Sequence, residues 1–251
     1  MSNGVLADEV AQLVAAAGYL RNVVRELGAT CRVCATPVNG FAWCWRCRRD
    51  RSIRGLADAV APLSYAIAGT RSAALVRDYK NHPARAVREA DSLIVGRVLS
   101  LGIALHERCL GVAVGLPVTV RVTIPSLTCR PGVHPFWRIA RAIDGVGDDV
   151  ALAPRANALC DRKISADKFA LVPDVSLDGQ HVVVLDDSWT TGSNAQSAVL
   201  TLRRGGAAAV SVIVVGRWLS PHFGTTADFV RTRLDQTYDP RSCPVTGGPC
   251  P

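Results

Sequence analysis

The chain has 251 residues, 49% of them hydrophobic and 20% charged, the balance of a globular protein large enough to bury a full core. No apolar run reaches the length needed to cross a bilayer, and the start MSNGVLADEVAQLV lacks the basic opening of a secretory signal, so a cytoplasmic chain with no membrane partner is expected. A net charge of +8 and a pI near 9.3 favour polyanions, a condition met by nucleic acid and by small, highly phosphorylated substrates alike. In that compartment the nine cysteines read as metal ligands or free thiols before they read as a disulfide framework.

In chain order, apolar residues Val5, Val10, Leu13, Val14, Leu20, Val24 and Leu27 form a stripe that predicts one helix stopped by Gly28. The segment CRVCATPVNGFAWCWRC follows, with Cys31, Cys34, Cys44 and Cys47 in a C-x2-C-x9-C-x2-C array. Two such pairs can turn four thiolates inward on one tetrahedral ion and leave no open position, so a structural zinc ribbon is expected, with iron an alternative in an all-cysteine site. Arg46, Arg48, Arg49, Arg51 and Arg54, interleaved with Trp43 and Trp45, make a basic aromatic stretch. It suits either single-stranded nucleic acid or a solvated face over packed indoles.

A short strand is predicted near 63–68, a helix through Tyr79-Lys80 that His82-Pro83 terminates, and a long helix over 84–110. VTVRVTI (118–124) reads as a strand, 134–143 as a helix, and 151–153 as a short strand. Residues 154–173 are charged and irregular, as a mobile flap would be. A buried strand ends in Asp186-Asp187, and a helix and a further strand (208–215) follow. The tail from Ser220 is mixed. Strands alternating with helices imply an α/β fold with a mostly parallel sheet. The expected units are an N-terminal helix (1–30), the cysteine module (31–55), the α/β domain (56–220) and a tail (221–251). In the tail, Cys243 and Cys250 could pair with each other, join a nearby histidine at a second metal site, substitute for a pair of the first site, or simply be solvated.

The segment VVVLDDSWTTGSN carries most of the functional information. A β-branched run, two adjacent carboxylates, a Thr/Gly/Ser/Asn loop and a helix start place acids beside an anion cradle at the C-terminal edge of a sheet. A ligand with both hydroxyls and phosphate, such as a ribose 5-phosphate, matches that chemistry. The segment resembles the phosphoribosyl-pyrophosphate (PRPP) signature of type I phosphoribosyltransferases. With the four-cysteine segment and Tyr79-Lys80-Asn81, the chain over roughly 31–219 is similar to the ComF family.

The resemblance implies a type I phosphoribosyltransferase fold behind the zinc ribbon. It implies transfer of ribose 5-phosphate from PRPP, with Mg²⁺, to a small acceptor, with pyrophosphate released. By position, Asp186 and Asp187 hold the ribose hydroxyls, and Thr190, Thr191, Gly192, Ser193 and Asn194 wrap the 5-phosphate. Ser126 and Arg130, in a segment that stands for the family's "VPxP" and Arg-Gly elements, serve pyrophosphate, with Lys80 a second cation. Arg162, Lys163 and Lys168 on the flap could close over the substrate or belong to a solvated charged loop. Ser188 and Trp189 stand where the family has Val or Ile, and Trp189 is expected to reshape the floor of the site. Homodimers are common in the family. The competing reading is a nucleic-acid-handling or PRPP-sensing protein without transferase turnover.

Overall fold

Residues 3–127, 133–143, 145–147 and 150–251 are described by a computed structural model. Helix α1 (Asn3–Ala16) is followed by the cysteine segment, which closes on a short helix α2 (Trp45–Asp50). Then come β1 (Ala59–Ile67), α3 (Arg71–Asn81), α4 (Arg85–Val114), β2 (Val120–Thr123) and α5 (Pro135–Arg141). The remainder is β3 (Ala151–Pro154), β4 (Phe169–Val172), β5 (His181–Trp189), α6 (Ser193–Arg204), β6 (Ala209–Leu219) and α7 (Thr226–Arg233). The main sheet has order β1-β6-β5-β2, and its three pairings are parallel. The two valine-rich strands therefore sit in the middle, buried on both faces as their composition requires. Pro62, which cannot donate to a ladder, lies in the edge strand β1.

Alternation along β5 divides the core in two. Val183 and Leu185 face a cluster built with α1, α3, α4 and α5, whereas Val182 and Val184 face α6, Phe169 of β4 and the cysteine segment. The helix boundaries follow local chemistry. His82, ahead of Pro83, takes extended backbone and ends α3; Gly115 in the left-handed region ends α4; His134 caps α5 by accepting the Phe136 amide, with Pro135 in the first turn.

Three expectations change. The first helix stops at Ala16 and does not run to Leu27: Leu20 and Val23 are buried on chain outside any helix, and Leu27 is exposed in a turn. The Tyr65 amide donates to the Arg21 carbonyl (2.9 Å), and the Arg21 guanidinium donates to the Leu234 carbonyl (2.8 Å), so residues 20–26 are held against the end of β1 by tertiary bonds. Residues 154–173 are not irregular throughout. Phe169 to Val172 pairs antiparallel with Ala151 to Pro154, and the intervening turn is fastened to α6 by Ser165 N to Ser197 Oγ (3.0 Å) and Thr201 Oγ1 to the Ala166 carbonyl (3.1 Å). The tail is ordered around α7: Phe229 meets the Tyr65 ring edge-on at 5.9 Å, and Tyr238 is buried in the larger core. No helix among the described residues is long and apolar enough to cross a membrane.

Candidate functional site

The C-terminal end of β5 opens into a cavity of about 260 Å³. Its wall is formed by Asp186, Asp187 and Ser188 of β5, the 190–195 turn into α6, Lys80 of α3, and residues 124–127 after β2. This is the edge at which open parallel sheets leave helix N-termini free. Thr190, Thr191, Gly192, Ser193, Asn194, Ser126 and Lys80 are thus gathered with the acidic pair, as the sequence order implies. Arg130 and Cys129 lie outside the described residues.

The two carboxylates have different surroundings. Asp187 is buried and accepts bonds from Lys80 Nζ (2.5 Å), the Tyr79 hydroxyl and Ser188 Oγ (2.8 Å). Burial alone would raise its pKa, but the Lys80 charge and these donors outweigh burial and hold it below the usual carboxylate range. Asp186 is half-buried, and its Oδ1 accepts the Asp187 amide (2.9 Å). Burial, with the charge of Asp187 beside it, raises its pKa against the pull of Lys80. One carboxylate is therefore fixed as an anion and its neighbour is the readier to hold a proton. Lys80 belongs to this acidic pair as well as to the cavity wall.

The loop after β5 is supported by two buried side chains, Trp189 and Arg217. Gly192 takes φ +76°, caps α6, and a Cβ there would run into the Trp189 indole. Trp189 is accordingly no part of the cavity floor. It is buried among the residues of the cysteine side, with Trp43 and Val33 nearby, and supports the loop from beneath. Arg217, near the end of β6, is also buried. It donates to the carbonyls of Trp189 (2.6 Å), Thr190 (3.1 Å) and Trp218 (2.7 Å), and its Nε donates to Thr36 Oγ1 (3.1 Å). Sequence reading missed Arg217; the one available signal was a cation directly after the buried run VSVIVVG.

On the flap, Lys168 is buried. It pairs with Asp161 (2.9 Å) and reaches Asn194 Oδ1 at 3.4 Å, so its ammonium lies beside the N-terminus of α6. Arg162 offers its carbonyl to Arg46 of the cysteine segment. Cys160 and His134 also line the cavity, two contributions the sequence did not signal.

The sulfurs of Cys31, Cys34, Cys44 and Cys47 converge within 4.8 Å of one another. Cys34 lies 3.8 Å from Cys44 and 3.6 Å from Cys47. Four sulfurs at about 2.3 Å from a tetrahedral ion would be about 3.8 Å apart, so the group could hold a metal ion such as zinc. The second pair does not sit on a β-ribbon: Cys44 is the N-cap of α2 and accepts the Cys47 amide at 3.5 Å. Thr36 Oγ1 stands 3.0 Å from the Cys34 sulfur, and Arg217 binds the same hydroxyl, so the cysteine cluster is joined to the loop at Thr190 through two side chains.

In the basic aromatic stretch, Arg51 stacks on Trp43 at 3.9 Å and Arg49 on Trp45 at 5.2 Å, while Arg46 and Arg49 both pair with Asp50. Comparison of the chain with protein-family models, curated proteins and solved structures finds no match.

Proposed function

We propose that the chain is a PRPP-dependent phosphoribosyltransferase of the ComF-like type I kind, with a structural zinc at Cys31, Cys34, Cys44 and Cys47. The observation that carries this reading is the convergence, in one cavity, of the Asp186–Asp187 pair, the hydroxyl-rich turn at the N-terminus of α6, and Lys80. Hydroxyls of a pentose suit acceptors such as the two carboxylates, and a 5-phosphate suits the amides and hydroxyls from Thr190 to Asn194. Lys80, Tyr79 and Ser188 let two adjacent carboxylates share a buried wall, since Asp187 stays charged without forcing Asp186 to ionise beside it.

Cleavage of the bond from C1 to pyrophosphate builds positive charge on the ring and negative charge on the leaving group. Asp186 and Asp187 lie on the side that fixes the ring, and Ser126 and Arg130 are the residues assigned to pyrophosphate. Mg²⁺, held mainly by substrate oxygens and waters, would neutralise the diphosphate. The acceptor is a small nitrogenous compound approaching the face of the ring opposite to pyrophosphate.

Full-length protein with PRPP, Mg²⁺ and a panel of nitrogenous acceptors is expected to release pyrophosphate, and Asp187→Asn to slow release on the order of a hundredfold or more. Calorimetry on the same samples separates the outcomes. PRPP binding without release from any acceptor would make the chain a PRPP sensor, and absence of PRPP binding by the wild type would end the reading altogether.

A further inference from the structure

A second group of side chains that could hold a metal ion assembles outside the cavity wall. His106 and Cys109 are three residues apart on α4 and so project from one face of that helix. The chain returns to this face after α7, where Cys243 and Cys250 flank the segment PVTGGP. One nitrogen of His106 and the sulfurs of Cys109, Cys243 and Cys250 lie within 4.8 Å of one another. His106, Cys109 and Cys243 are buried, and Cys250 closes the group from the solvent side.

The geometry around these ligands is that of a prepared site. His106 presents Nδ1 to the Cys250 sulfur at 3.4 Å, while its Nε2 lies 2.7 Å from the Pro240 carbonyl. A carbonyl can only accept, so Nε2 carries the proton and Nδ1 is left with its lone pair towards the sulfurs. Ligating histidines are oriented in this way, the second nitrogen donating to a fixed oxygen. The loop between the cysteines is also fixed. The Gly247 amide donates to the Cys243 carbonyl (2.9 Å), the Thr246 hydroxyl to the Pro249 carbonyl (2.9 Å), and Arg25 Nε to the Pro244 carbonyl (2.9 Å). Gly247 is in the left-handed region, and a Cβ there would run into Arg25. A disulfide accounts for less of this: it would join two of the three thiols and leave the third, with an oriented imidazole lone pair, unused.

We propose that His106, Cys109, Cys243 and Cys250 form a second, Cys₃His zinc site that fastens the C-terminal segment to α4. Four protein ligands leave no open position, so its role is structural. It does not depend on the transferase reading, since none of its residues lines the cavity.

Metal analysis of the full chain, purified without chelator from zinc-supplemented culture, is expected to give two zinc ions per chain. The double variants Cys31→Ser/Cys34→Ser and Cys109→Ser/Cys250→Ser should each retain one. One zinc in the wild type, unchanged in Cys109→Ser/Cys250→Ser, would overturn the proposal, as would a Cys243–Cys250 bridge found by non-reducing peptide mass spectrometry. Where a serine variant fails to fold, His106→Cys keeps four ligands. With Co²⁺ in place of zinc, its ligand-field bands should shift from those of a mixed Cys₄ plus Cys₃His protein to those of Cys₄ alone, and an unchanged spectrum would count against the site.

Discussion

The two cysteine groups draw on similar ligands, four thiols in one and three thiols with an imidazole in the other, but lie against different parts of the chain. Cys31, Cys34, Cys44 and Cys47 lie within one short segment, and Thr36 and Arg217 carry their geometry to the carbonyls of Trp189 and Thr190. His106 and Cys250 are 144 positions apart, and their group brings the segment after α7 against α4 with no side chain in the cavity wall. Arg25 touches both: it donates to the carbonyls of Arg32 and Val33, inside the first C-x2-C, and to that of Pro244, inside the second loop. Like chemistry, then, does not mean like consequence. The first group bears on the loop after β5 and the second on how the segment after α7 meets α4.

The largest effect that would break this distinction comes from the first group. Cys34→Ser is expected to cost on the order of 4 kcal/mol of stability, as loss of a metal ligand does, and to weaken PRPP binding measured by calorimetry. Cys250→Ser should lower Tm and leave PRPP affinity unchanged, and equal losses of affinity in the two variants would erase the contrast. A smaller change tests the link itself. Arg217→Met removes a charged donor from three carbonyls and from Thr36, each such bond being worth about 1.5–3 kcal/mol. PRPP affinity should fall at least about tenfold while the zinc content stays that of the wild type.

The smallest effect isolates the cavity from both groups. The folded-state pKa of Asp186 is raised above its unfolded value, so the folded protein binds this proton more tightly than the unfolded chain. Its contribution to stability is present in acid and is lost as pH rises from the ordinary carboxylate range through the raised value. Asp186→Asn should flatten that part of the Tm-against-pH curve, and Cys250→Ser should leave its slope intact. An identical slope in wild type and Asp186→Asn would remove Asp186 as its source.

Much of the fold was legible because its signals are local. VVVL before Asp186 and AVSVIVV in β6 read as buried strands, His82-Pro83 as the end of a helix, and the spacing of the first four cysteines as a set that could hold a metal ion. The acidic pair and the TTGSN turn were likewise readable as one wall of a cavity. What could not be read depends on partners distant in sequence. Leu20 and Val24 continue the apolar spacing of α1, yet bonds to β1 and to the segment after α7 hold this stretch outside any helix. Trp189 looked like a change in the cavity floor until Gly192 and the cysteine segment gave it another face to pack against. Arg217 and His106 are buried polar residues, and nothing in their neighbours in sequence names Thr36 or Pro240 as their partners.

The bond from Arg217 to Thr36 also bears on how such a chain can be inherited. A buried guanidinium that holds the turn after β5 with one nitrogen and the cysteine segment with another ties changes in the two together. A lineage could not discard the cysteine segment as an accessory and keep the turn unaltered, because the arginine would be left with an unmatched donor in the core. Nor could it exchange Arg217 for a shorter cation without new support for the carbonyls of Trp189 and Thr190. Loss of the segment would have to be accompanied by redesign of the turn.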